Sequence, residues 1–258
     1  MLTIKGLCAK LAGRAVLHDI TISAQAGQIT AIVGPNGSGK TTLLRAMTGD
    51  LPYSGVACLN GLEVATTRPW QLAATRAVLA QATDVAFPFT VAEVVQLGLQ
   101  SGATQPHDKL ASQALTMVGL GAFANRLFQD LSGGEQQRAH LARVLLQVWE
   151  ATGPDGPRWL FLDEPVSSLD IGHQIMVMGI VRRFADAGGG VVAVMHDLNL
   201  TAMFADRVGL LHNGRLAAKG RPEDVLTDKV LSIAYDCPVR VNTAPATGPW
   251  LVPQAMPV

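Results

Sequence analysis

A chain of 258 residues, 48% hydrophobic and 16% charged, is long enough for one large α/β core with an inserted subdomain. Its 20 Lys and Arg balance 20 Asp and Glu, which leaves no global field to hold nucleic acid or an anionic lipid surface. Cys8, Cys58 and Cys237 are far apart and lack Cys-x-x-Cys spacing, so neither a disulfide framework nor a zinc site is indicated, and a reducing compartment is the simpler reading.

Leu2 to Leu7, Val16 to Ser23 and the apolar run Ile29 to Val33 read as strands separated by glycine-bearing turns. A helix is expected over Thr42 to Thr48, stopped by Gly49, then a hairpin strand over Gly55 to Leu62 with an Asn60-Gly61 turn. This mixed start predicts a small antiparallel sheet beside a parallel one. Ala77 to Ala80 is a further short buried strand, and Val91 to Leu99 and Leu110 to Val118 carry helical periodicity. Trp159 to Leu162 and Val191 to Met195 are short apolar strands with helical segments between and after them. That alternation implies a parallel, doubly wound sheet.

The expected organisation is one domain over 1–258. Its catalytic core, with the antiparallel β subdomain, spans 1–83 and 146–241, and a helical insertion spans 84–145. The last stretch, Asn242 to Val258, is proline-bearing and almost uncharged, and is expected on the surface or disordered. No stretch reaches the roughly 18 apolar residues of a membrane span, and the start Met1 to Gly6 lacks a signal-peptide layout. Membrane association is expected only through a partner.

Gly34-Pro35-Asn36-Gly37-Ser38-Gly39-Lys40-Thr41-Thr42 follows the Ile29 to Val33 strand, opens a helix and matches the phosphate-loop pattern Gly-x4-Gly-Lys-Ser/Thr. Its glycines let successive backbone N–H groups converge on phosphates. Lys40 is expected to reach the β and γ phosphates, and the Thr41 hydroxyl to ligate Mg²⁺. The Trp159 strand ends in Asp163 and Glu164. Alone, two carboxylates after a strand are an ordinary loop start. Behind a phosphate loop, Asp163 is placed to hold Mg²⁺ through water and Glu164 to orient or deprotonate the attacking water.

His196 follows the Val191 to Met195 strand, at the carboxyl end where open α/β sheets place ligand sites, within possible reach of a γ-phosphate. The other histidines, His18, His107, His140, His173 and His212, are read as structural. Gln81, just after Val78 to Ala80, is by itself a polar loop residue and gains meaning only from its place among the other motifs. Leu131 to Arg138 reads Leu-Ser-Gly-Gly-Glu-Gln-Gln-Arg; Ser132 caps a helix, Glu135 stands three residues on, and Ala139, Ala142, Leu145 and Leu146 follow at helical spacing. The segment reads as a capped helix after a glycine turn, and also as an anion site with N–H groups and a helix dipole aimed at a phosphate.

Together these residues resemble the nucleotide-binding subunit of an ABC transporter over roughly residues 1 to 230. Gly34 to Thr42 corresponds to Walker A, Gln81 to the Q-loop and Leu131 to Arg138 to the signature. Asp163 and Glu164 correspond to Walker B, Ser167 to Asp170 to the D-loop, and His196 to the switch histidine. The resemblance implies a RecA-like P-loop NTPase fold with ATP and Mg²⁺ as cofactors. Glu164, His196 and Gln81 would be catalytic, and Thr41, Gln81 and Asp163 would neighbour the metal. Ser132, Gly133, Gly134, Gln136 and Asp170 would join the phosphate loop in binding nucleotide.

It further implies that two copies sandwich two ATP molecules, each held between one subunit's Walker A and the other's Ser132, Gly133 and Gly134. This homodimer would drive two transmembrane permease subunits from the cytoplasmic face of the inner membrane. It would be served indirectly by a periplasmic haem-binding protein, without nucleic acid and without inserting into the bilayer. Phe87 to Val95 looks like importers of iron complexes, haem and cobalamin. Ala142 to Trp149, a Gly/Pro-containing loop and Pro157 to Pro165 are similar to haem (hemin) importer ATPases.

Haem is therefore the expected cargo, with ferric siderophore or cobalamin as alternatives. The cargo passes through the permease, so no histidine is assigned to bind it. Two departures stand out. Where many members stack an aromatic ring on adenine, Ala9 is the equivalent, which implies weaker nucleotide binding and weak base discrimination. Val166 replaces the usual threonine at equal volume, and hydrolysis is expected to survive. A soluble ABC ATPase of DNA repair or translation shares the motifs, but those proteins usually carry coiled coils, tandem cassettes or basic surfaces. A non-hydrolysing nucleotide module leaves Glu164 and His196 unexplained, and a plain P-loop kinase leaves Leu131 to Arg138 unexplained.

Overall fold

The computed structural model describes residues 1–81, 87–101, 104, 109–249 and 251. His107, the expected boundary at 84 and most of the tail beyond 249 lie outside the described residues.

The chain opens with a hairpin of β1 (Leu2–Leu11) and β2 (Arg14–Ala24), then β3 (Ile29–Val33), α1 (Lys40–Thr48) and β4 (Tyr53–Leu59). A two-residue turn at Asn60 and Gly61, both at positive φ (50° and 85°), leads to β5 (Leu62–Glu63); this is the turn that matches the twist of a hairpin. Next come α2 (Pro69–Thr75), β6 (Arg76–Leu79), α3 (Val91–Ser101), α4 (Leu110–Met117) and α5 (Gly133–Gln147). A small hairpin, β7 (Thr152–Gly153) and β8 (Gly156–Pro157), precedes β9 (Trp159–Asp163) and α6 (Ile171–Asp186). The chain continues with β10 (Gly190–Val194), α7 (Leu198–Phe204), β11 (Arg207–His212), β12 (Arg215–Gly220), α8 (Pro222–Val225) and α9 (Asp228–Tyr235).

Two main sheets result. One is antiparallel in the order β2-β1-β4-β5; the other runs β12-β11-β3-β10-β9-β6, parallel except for β12. The parallel strands bury both faces, which is why they read as unbroken apolar runs instead of alternating ones. Ile29, Ala31 and Val33 of β3, with Leu160 and Leu162 of β9, face a core shared with α3 to α6. Ile32, Trp159, Phe161, Val192 and Val194 face the other way, into a core shared with α1 and the antiparallel sheet.

The β11–β12 hairpin is an addition to the sequence reading, which left this region helical. Its signal was present in Asn213 and Gly214, whose φ values of 50° and 70° make the turn. The loop before β9 is also more ordered than a Gly/Pro stretch suggests. Asn60 donates from Nδ2 to the Pro157 carbonyl at 2.7 Å and accepts from the buried Trp159 indole at 3.1 Å. The small hairpin is thereby strapped to the antiparallel sheet.

Candidate active site

The β3 strand delivers residues 34–39 to the start of α1. Gly34 has φ 146°, and a Cβ there would collide with the Leu211 carbonyl, so glycine is required for the loop to leave the sheet at this angle. Lys40 is 6% exposed, and its ammonium donates to the carbonyls of Gly34 (2.9 Å) and Pro35 (3.1 Å). Burial lowers the Lys40 pKa, while the charges of Glu164 and Asp163 hold it up. Ser38 is buried beside it, and its hydroxyl has no hydrogen-bond partner among the described residues.

Asp163 ends β9, one strand removed from β3 across β10, and so faces α1. The Thr41 hydroxyl donates to Asp163 Oδ1 at 3.2 Å. Burial pushes the Asp163 carboxyl above its ordinary pKa, and the Thr41 hydrogen bond opposes that shift. Both are hard oxygen donors. No group of three or more His, Cys, Asp or Glu among the described residues is arranged to hold a metal alone. Two oxygen donors beside a phosphate loop suit Mg²⁺, an ion that usually completes its shell with phosphate oxygens and water.

Glu164 adopts φ 52°, uncommon for a residue with a side chain. Its N–H donates to the Val194 carbonyl at 3.1 Å, and its carbonyl accepts from Gln137 Nε2 at 2.8 Å and from the Ser167 hydroxyl at 3.2 Å. The kink turns the carboxylate toward two other loops. Oε1 lies 2.6 Å from His196 Nε2, and Oε2 accepts from Gln81 Nε2 at 3.2 Å. Val166, two residues on, is buried in the larger core, where a methyl in place of a hydroxyl leaves no polar group unpaired.

These groups line an open cleft of about 600 Å³ that brings Asn36, Lys40, Thr41, Gln81, Glu164 and His196 together with Leu11 and Val16. The last two correct the sequence reading of Ala9. Ala9 is 4% exposed and packed into the smaller core, whereas Leu11 is 46% exposed at the cleft. The error came from the strand end, because β1 runs on to Leu11 and carries the rim position two residues further.

Ser132, Gly133, Gly134, Gln136 and Asp170 do not line this cleft. Ser132 caps α5 in a reciprocal capping box with Glu135. Gly133 is exposed, and Gly134 lies so close to the loop between β9 and α6 that a Cβ would stand 2.9 Å from the Ser168 carbonyl oxygen. Gln136 donates to the Phe128 carbonyl at 3.3 Å. Asp170 caps α6, and the His173 N–H and ring hold its carboxyl below the usual range. His173 is thus engaged structurally, and His140 packs against Phe128 with ring centroids 4.9 Å apart and planes tilted by 58°.

A phosphate loop between a parallel strand and its helix, faced by a buried aspartate and a kinked glutamate, defines a P-loop nucleotide hydrolase. Residues 17–167 match the family model described as ABC transporter, and the chain belongs to that family as an ATP-binding subunit that hydrolyses ATP. It is 60% identical over 245 residues to the "Hemin import ATP-binding protein HmuV" of Jannaschia sp. (strain CCS1), covering 95% of this chain and 91% of the relative. The protein of the same name from Roseobacter denitrificans is 55% identical, with 96% of each chain covered. Among solved structures, an ATP-binding subunit of an ABC transporter superposes with TM-score 0.78 at 21% identity over 91% of this chain and 94% of its own. Clostridium perfringens cbiO1, part of the transporter complex cbiONQ, gives 0.73 at 25% identity over 89% and 92%.

Proposed function

We propose that this chain is the ATPase subunit of a hemin importer, working as a homodimer beneath two transmembrane permease subunits at the cytoplasmic face of the inner membrane. A periplasmic haem-binding protein would feed the permease from the other side. The observation that carries the cargo is the 60% and 55% identity, over nearly whole chains, to proteins named for hemin import. Among the described residues no helix is long and apolar enough to cross a membrane.

In this reading residues 1–83 and 146–241 bind and cleave nucleotide, and 84–145 form the arm that presents the signature. The Gly34 to Thr42 loop cradles phosphates with backbone N–H groups, and Lys40 exchanges its carbonyl partners for the β and γ oxygens. Thr41, Gln81 and Asp163, the last through water, would hold Mg²⁺, which would supply charge neutralisation at the transferring phosphoryl group. Glu164 orients the attacking water and takes its proton, and His196 contacts the γ-phosphate. The signature residues stand outside their own chain's cleft, and a second copy would bring Ser132, Gly133, Gly134 and Gln136 to the exposed phosphates, with Asp170 at the junction. The positive end of α5 would then face negative charge.

Growth of a deletion strain on hemin, a ferric siderophore or ferric salt as sole iron source tests the cargo. Failure on hemin alone, restored by the wild-type gene and not by a Glu164→Gln copy, is the expected result. Growth on hemin with failure on the siderophore would move the cargo to siderophores and leave the ATPase chemistry standing.

A further inference from the structure

Gln137 has no part in the nucleotide site described above, yet its carboxamide joins two segments that do. Its Nε2 donates to the Glu164 carbonyl at 2.8 Å, and its Oε1 accepts from the Ser168 N–H at 3.3 Å. Both bonds come from one half-buried side chain on α5, one turn beyond Gly133 and Gly134. The same helix touches the same loop a second time, where Gly134 packs against the Ser168 carbonyl. Glu164 needs such support, because a non-glycine residue at φ 52° persists only where its surroundings hold it.

We propose that Gln137 is a positioning residue that transmits the placement of the signature helix to the catalytic glutamate of the same chain. The inference rests on the proposed two-copy sandwich and on Glu164 as the base. When Ser132, Gly133 and Gly134 close on the partner's nucleotide, α5 moves as a rigid rod. Gln137 carries that movement into the backbone of Glu164, which aims its carboxylate at this chain's own nucleotide. Each site then reads the occupancy of the other through one carboxamide, and hydrolysis becomes cooperative between the two.

A residue that merely fastens the loop would show itself in stability. Ser168 is exposed, so water can replace the lost bond to its N–H, and the Glu164 carbonyl keeps the Ser167 hydroxyl at 3.2 Å and the Ser167 N–H at 3.3 Å, so little stability is at stake. The test compares wild type, Gln137→Met and Gln137→Glu for ATPase kcat, KM and Hill slope, with melting temperature measured alongside. ATP-driven dimerisation is followed by size exclusion in a Glu164→Gln background.

Gln137→Met keeps the shape and removes both bonds. Its kcat is expected to fall about tenfold to a hundredfold, the scale of a misaimed catalytic group. KM, melting temperature and dimerisation should stay near wild type, and the Hill slope should drop toward one. Gln137→Glu keeps the acceptor for Ser168 and loses the donor to Glu164, so it should behave like Gln137→Met. Wild-type kcat in Gln137→Met would overturn the proposal, as would a kcat loss matched by loss of folding or of the ATP-driven dimer. If Glu164→Gln alone turns over at the wild-type rate, the catalytic reading itself fails, and this inference with it. An inactive Glu164→Gln beside a fully active Gln137→Met removes only the bridge.

Discussion

Nε2 of His196 and Nε2 of Gln81 engage the two oxygens of Glu164 separately, at 2.6 and 3.2 Å. Two loops from different parts of the chain thus converge on one carboxylate, and each oxygen keeps acceptor capacity for the attacking water. Glu164→Gln preserves the shape and the hydrogen-bonding reach but removes the base. Its kcat should fall about 10²- to 10⁴-fold, the usual worth of general-base catalysis. KM should change little, and ATP-bound dimers should accumulate. A coupled ATPase assay and size exclusion with ATP measure both.

Burial pushes the Asp163 carboxyl above its ordinary pKa. The folded chain therefore binds that proton more tightly than the unfolded chain, and the stabilisation is lost as pH rises through the folded value. At neutral pH the ionised group is a liability to the nucleotide-free fold. Asp163→Asn should raise the melting temperature at pH 7 by on the order of a few degrees. The gain should fade as pH drops through the folded pKa to the unfolded value of about 3.9. Magnesium with ATP should stabilise wild type more than the variant. Thermal melts across that pH range, with and without nucleotide, check each statement.

Leu11 and Val16, not Ala9, stand at the cleft. Leu11→Tyr supplies a ring where the base can lie, and base–aromatic stacking of about 1–3 kcal/mol corresponds to roughly 5- to 150-fold tighter nucleotide binding. Selectivity for ATP over a pyrimidine nucleotide should rise with it. Ala9→Tyr instead forces a ring into a packed core and should destabilise by about 1–3 kcal/mol or more. Titration and melting of the two variants distinguish the positions.

At Gly134 an added methyl would stand 2.9 Å from the Ser168 carbonyl oxygen and 3.2 Å from Leu169 Cδ2. Backbone cannot yield as a side-chain tip can, so Gly134→Ala should displace the loop that follows Glu164. Turnover should drop at least about tenfold through misalignment. Because alanine leaves the unfolded chain fewer conformations than glycine does, part of that cost is offset and the melting temperature should move far less. Steady-state kinetics alongside calorimetry would show whether the two effects part in this way.

Asn60 serves the Pro157 carbonyl and the Trp159 indole together, and Trp159 is fully buried. Asn60→Ala leaves the indole N–H without an acceptor, at about 1–3 kcal/mol for the unmet donor. The turn also requires positive φ at this position, which asparagine tolerates better than alanine. Asn60→Gly restores the turn and not the hydrogen bonds. It should recover only part of the lost stability in a urea titration.

The convergence of Lys40, Thr41, Gln81, Glu164 and His196 on one cleft is legible because each sits in a short segment just past a buried strand. Ile29 to Val33 was bounded correctly, since a fully apolar strand between glycine turns leaves little freedom in placement. The cleft's apolar rim was not readable, because it depends on β1 outlasting its apolar pattern to reach Leu11. Gln137 was equally hidden. In sequence it is one polar residue among several on a helix, and only the fold lays the Glu164 carbonyl beside it. The β11–β12 hairpin is not legible despite its Asn-Gly turn, because its first strand is buried on both faces, one place in from the sheet edge, and lacks the alternation of an exposed one.

The parallel sheet is a party wall. Trp159 and Phe161 belong to one core while Leu160 and Leu162, their immediate neighbours, belong to the other. Neither side can melt without stripping the shared strands, so the two cores should unfold in one concerted transition. A nucleotide bound at the strand ends would then protect the distant helices as fully as the phosphate loop. At a hundredfold excess over its Kd that protection is about 2.7 kcal/mol for the whole chain.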